Sequence, residues 1–104
     1  MRTNLFDNIP ETLPAELTDI LFNSENIRIE RIVSSGQTSP KEGWFDQEEK
    51  EWVILLQGEA TIAFDDGLEI VLSKGDYLMI HPHKKHKVTF TSTEPKCVWL
   101  AIFF

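Results

Sequence analysis

The chain is short of cysteine, of positive charge and of long apolar runs, and each shortage removes a class of protein. Its single cysteine, Cys97, leaves no internal disulfide to form, and because it sits in an apolar, strand-like run, a buried and inert thiol is expected there. Ten Lys and Arg stand against 17 Asp and Glu, a formal net charge of −7. Such a chain repels a phosphate backbone, since non-specific nucleic-acid affinity comes from cations that displace counterions. Nucleic acid is therefore not an expected partner. No apolar run approaches the roughly 20 residues of a membrane helix, and the opening stretch MRTNLFDNIPETLPAEL lacks the apolar core of a signal peptide. The expectations are a cytoplasmic location and no membrane partner.

What is present is enough for one fold. A chain of 104 residues with 41% hydrophobic content suits a single domain with a single core. In residues 14–23, PAELTDILFN, the placing of Leu17, Ile20 and Leu21 between acidic residues predicts a short helix, so that residues 1–25 read as an N-terminal extension. From Ile27 the apolar period changes to two, and turn residues recur at Ser35-Gly36, Glu42-Gly43, Gln57-Gly58, Asp66-Gly67, Lys74-Gly75 and Pro82. Strands are predicted over 27–34, 51–56, 59–64, 68–73, 77–81, 86–92 and 97–103. Seven short strands with no helix between them describe an all-β antiparallel barrel or sandwich over residues 26–104.

Strand phase assigns the side chains to faces. In HKVTFTS, His86, Val88 and Phe90 share one face and Lys87, Thr89 and Thr91 the other, so His86 is expected to point inward. In IRIERIV, Ile27, Ile29, Arg31 and Val33 share the face assigned to the core, while Arg28 and Glu30 point away. An arginine in that phase either reaches a cavity or pairs with a buried carboxylate, because an unpaired buried charge is too costly. The stretch HPHKKHK, residues 81–87, concentrates three histidines and three lysines in an acidic chain. Alternation turns His81 outward, leaves His83 in the turn within reach of a barrel mouth, and places Lys84, Lys85 and Lys87 at a solvated end where they could steer an anion.

The runs EKEWVILLQGEATI and KGDYLMIHPHKKHKV resemble the two-box pattern of the cupin superfamily, and WFDQEEKEWV with GDYLMI is similar to small single-domain bacterial cupins. Glu51 and Gly58 have the spacing of the first box, and Gly75 and His86 that of the second. Phe45 and Gln47 stand where the pattern has two histidines. The resemblance implies an antiparallel jelly-roll barrel whose interior holds a divalent metal. Carried over by position, Glu51, His86 and Gln47 would be its ligands, with zinc, iron, manganese and nickel as candidate ions.

Two functions of different class follow as expectations. The first is a metal-dependent enzyme acting on a small, anionic molecule, with Arg31 and the turn lysines as its orienting cations. The second is a metal-free binding module whose apolar cavity uses Gln47, Glu51, His83 and His86 as its few polar groups. Trp44, in the loop before the first box, is placed to wall a small-molecule pocket. The closing run VWLAIFF is apolar on both strand faces, more than one barrel interior absorbs, and this excess predicts a homodimer.

Overall fold

In a computed structural model, which describes residues 2–104, the chain folds into eight antiparallel strands in two sheets. In order they are β1 (Leu17–Asn23), β2 (Arg28–Ser34), β3 (Glu51–Gln57), β4 (Ala60–Phe64), β5 (Glu69–Leu72), β6 (Tyr77–Ile80), β7 (His86–Thr91) and β8 (Cys97–Phe103). The five-stranded sheet has the order β1-β2-β8-β3-β6 and the three-stranded sheet β5-β4-β7. The seven strands expected after residue 26 are all present. Among the described residues no helix is long and apolar enough to cross a membrane.

The expected helix over 14–23 does not form. Its apolar half is β1, the edge strand of the larger sheet, paired with β2 from Leu17↔Val33 to Asn23↔Arg28 with a register shift that leaves Leu21 over. Helical spacing of a few leucines carries little weight against a full ladder of backbone hydrogen bonds and a side-chain pair, Asp19 with Arg31, that the strand alone sets up. Leu17–Asn23 is thus a strand of the barrel sheet.

The two sheets close on a core of Leu55, Leu72, Ile62, Trp99, Ala101 and Phe103. Register decides which face of each strand reaches it. Ile32 pairs with Trp99 and Glu30 with Ala101, so Arg28, Glu30 and Ile32 lie on the inward face of β2. The sequence expectation had this strand inverted. Ile29, Arg31 and Val33 belong to the outer face. Arg31 is only 7% exposed there; its Nε donates to Asp19 Oδ2 at 2.9 Å and its Nη1 to the carbonyls of Leu5 and Asp7 at 2.9 and 2.6 Å. It took the second of its two expected options, a carboxylate partner, and lies away from the cavity.

A second correction comes from a bulge. Ile62 pairs with Val88 but Thr61 pairs with Phe90, so Thr89 is an extra residue in β7. The phase of the strand changes there. His86 remains inward and buried, whereas Phe90 is turned out to 50% exposure and Thr91 takes the buried position. At the corner between sheets, Gly58 adopts φ +92°, and a Cβ there would come within 3.0 Å of the Cys97 backbone. Cys97 is fully buried, as expected.

Candidate functional site

Between the sheets lies a cavity of about 580 Å³, well within the range of small-molecule sites. Its floor is apolar, with Val53, Ile62, Ile80, Val88, Trp99 and Phe103 supplied by the inward faces of five strands. Its polar lining includes Glu16, Thr18, Glu30, Gln47, Glu51 and His86.

Glu51 opens β3 and faces inward because Val53 and Leu55 follow it in phase. His86 opens β7 from the opposite sheet, and its Nε2 lies 3.6 Å from Glu51 Oε1. Its other ring nitrogen, Nδ1, donates to the Lys84 carbonyl at 2.8 Å, which fixes the ring with Nε2 toward the cavity. The rings of Phe45 and Phe64 stand 5.6 and 6.3 Å from the imidazole. Burial opposes protonation of His86, yet the Glu51 carboxylate and the Lys84 carbonyl outweigh it, and the imidazole pKa lies above its ordinary value.

The loop that carries Phe45 and Gln47 is held against the histidine turn by backbone bonds. Phe45 and His86 exchange both amide hydrogen bonds, at 2.8 and 3.2 Å, and His83 N–H donates to the Gln47 carbonyl at 2.8 Å. This places Gln47 beside Glu51, where its amide Nε2 donates to Oε1 at 3.2 Å. Gln47, Glu51 and His86 are therefore brought together, as the sequence predicted.

Other expected residues are placed elsewhere. Trp44 walls a separate, shallow pocket of about 170 Å³, where the Lys87 ammonium sits 4.3 Å above its ring. His83 has φ +61° and is exposed, with its Nδ1 2.7 Å from Asp46 Oδ1, outside the cavity lining. His81 is exposed on the outer side, as alternation required. Lys84 pairs with Asp66 at 2.8 Å, and Lys87 donates to the Lys41 carbonyl. Among the described residues no lysine or arginine lines the main cavity, so the expected cationic mouth for an anion does not form.

Sequence reasoning missed Glu16, Thr18 and Glu30, which line the cavity from β1, the segment before it and β2. Glu30 was legible in one signal: Glu30, Ile32 and Ser34 alternate as well as Ile29, Arg31 and Val33 do. Glu16 had none, since the segment before β1 was assigned to a helix. Its carboxyl accepts from Ser34 Oγ at 3.3 Å. Loss of solvent around it and the nearby Glu30 charge raise its pKa against that hydrogen bond.

Comparison with known proteins agrees with this architecture. A search of curated proteins returns no significant match. Among solved structures, one from Ralstonia eutropha, whose designation as a mannose-6-phosphate isomerase is provisional, is 35% identical with a TM-score of 0.93, covering 99% of this chain and 96% of its own. A cupin superfamily protein from Desulfitobacterium hafniense is 25% identical with a TM-score of 0.76, covering 92% and 83%. A DMSP lyase from Ruegeria pomeroyi, at 15% identity and a TM-score of 0.71, shares the fold over 85% of this chain and 46% of its own. The family model described as "Cupin domain" matches residues 31–103, and with the two-sheet barrel and its box residues Glu51, Gly58 and His86, this chain belongs to the cupin family.

Proposed function

We propose that this cupin binds a small molecule in its barrel cavity through Gln47, Glu51 and His86, and that it does so without a resident transition metal. The observation that carries the reading is the convergence of two ionisable side chains from opposite sheets in a largely apolar cavity of about 580 Å³. Apolar walls supply affinity and the polar pair supplies orientation.

The residues do not fit the metal that the family resemblance implied. Glu51 and His86 are two donors, whereas a transition-metal site takes three or four. Phe45 offers a ring where a ligand would stand, and Gln47 turns its amide nitrogen, not its oxygen, toward Glu51. Among the described residues no three His, Cys, Asp or Glu side chains are gathered closely enough to hold an ion.

The test is the metal content of untagged protein by mass spectrometry, followed by thermal melting against a metabolite panel. Substoichiometric metal together with a ligand-dependent rise in melting temperature is the expected result. A stoichiometric ion that is lost in both Glu51→Ala and His86→Ala would replace this reading with a metal-dependent enzyme using zinc, iron, manganese or nickel.

The partner proposed at the protein level is a second copy of the chain. In support, Phe22, Ile29, Ile102, Trp52 and Met79 stand in register across all five strands of the larger sheet, on its outer face. Phe22 and Met79, at the two ends of this row, are 54% and 42% exposed.

A further inference from the structure

The lining of the cavity has a sign. Glu51 from β3, Glu30 from β2 and Glu16 from the segment before β1 bring three carboxylates to one lining. The nearest compensation is Arg28, whose Nε donates to Glu30 at 2.7 Å, but the same guanidinium also engages both oxygens of Glu49, at 3.1 and 3.2 Å. One cation shared by two carboxylates leaves that group net negative. Glu16 and Glu51 add to it.

A second observation concerns His86, which is only 5% exposed and aimed into the cavity. With Nδ1–H committed to the Lys84 carbonyl, the neutral ring offers Nε2 as an acceptor, and Glu51 Oε1, also an acceptor, faces it at 3.6 Å. That separation is too long for a good direct hydrogen bond. Oε1 already takes one hydrogen from the Gln47 amide at 3.2 Å, and its remaining lone pair and Nε2 can be satisfied together by one group that carries several hydrogens, of which an ammonium is the simplest. Trp99 and Phe45 also line the cavity, and aromatic rings attract cations over their faces.

We propose that the cavity selects a primary amine with a short apolar body, the ammonium lying between Glu51 and His86 and the body on the apolar floor, and that it rejects carboxylates and phosphates of equal size. The inference rests on the reading of this cavity as a small-molecule site. It opposes the anionic ligand expected from the sequence.

Three probes of one length separate the two levels of the claim: hexan-1-ol, hexylamine and hexanoate, each titrated into the full chain at mildly alkaline pH. Binding is followed by NMR at the Trp99 indole and the Ile62 and Ile80 methyls. Hexan-1-ol shifts at these groups report the cavity itself, and the ratio of the charged probes reports its preference. The expected result is hexylamine at least tenfold tighter than hexanoate, with the ratio narrowed by Glu51→Gln and by the mouth variant Glu16→Gln. Hexanoate binding as tightly as or more tightly than hexylamine overturns the amine preference and leaves the cavity reading standing. Hexan-1-ol without shifts at the cavity groups overturns both. The primary comparison uses the unaltered protein, so a variant that fails to fold does not decide it.

Discussion

His86 and Glu51 meet across the two sheets, the imidazole Nε2 3.6 Å from the carboxylate Oε1. The pair sets a pH dependence whose sign can be worked out. The folded pKa of His86 is raised above the ordinary value of 6.5, so the folded state binds the proton more tightly than the unfolded chain does. This contribution to stability is complete below that ordinary value and disappears as pH rises through the folded pKa. Urea denaturation of His86→Gln should be flatter across that window than that of the unaltered protein. In Glu51→Gln the largest counterweight to burial is gone, and an NMR titration should find the imidazole pKa below its position in the unaltered protein.

Asp19→Ala tests why β1 is a strand. The substitution strips the buried Arg31 guanidinium of its one carboxylate and leaves it the Leu5 and Asp7 carbonyls. A charged hydrogen bond of this kind is worth about 1.5–3 kcal/mol. Chemical denaturation should show a loss of that order, and hydrogen exchange should show β1 amides losing protection before those of β8.

Gly58→Ala should be destabilising at a site remote from the cavity. An L-residue in the left-handed region costs about 1–2 kcal/mol, and the new Cβ also meets Cys97 Sγ at 2.9 Å and its Cα at 3.0 Å. For a domain of this size the melting temperature should fall by about 4–8 °C for each kcal/mol lost. Gly67→Ala keeps the backbone cost at φ +92° but meets nothing within 4 Å, so calorimetry of the two variants separates strain from collision.

The proposed homodimer is checked by sedimentation at micromolar concentration. A species of twice 12.0 kDa is expected. Met79→Glu places a charge on the apolar row that Trp52 continues, and it should shift the equilibrium to monomer without moving the intrinsic melting curve of the monomer.

The strands after residue 26 were legible because each is bounded by glycine or proline turns and carries a period of two. Glu51 and His86 were legible because each heads a run whose apolar residues lie in phase with it. What escaped the sequence was information stored in pairing. β2 alternates equally well in either phase, and only its register against Trp99 shows that Glu30 and Ile32 point inward. Thr89 looks like any strand threonine until its neighbours pair with β4 and leave it over, which reverses Phe90. Arg31 was read as a ligand-orienting cation since a buried charge attracts a functional explanation, and its carboxylate partner sat in a segment assigned to a helix.

The cavity wall also has two provenances. Trp99, Ile62 and His86 come from the stretch that the family model matches, residues 31–103, but Glu16, Thr18 and Glu30 come from before it. A relative could therefore keep all eight strands and the Glu51–His86 contact yet change the charge of its pocket by exchanging the side chains at positions 16, 18 and 30.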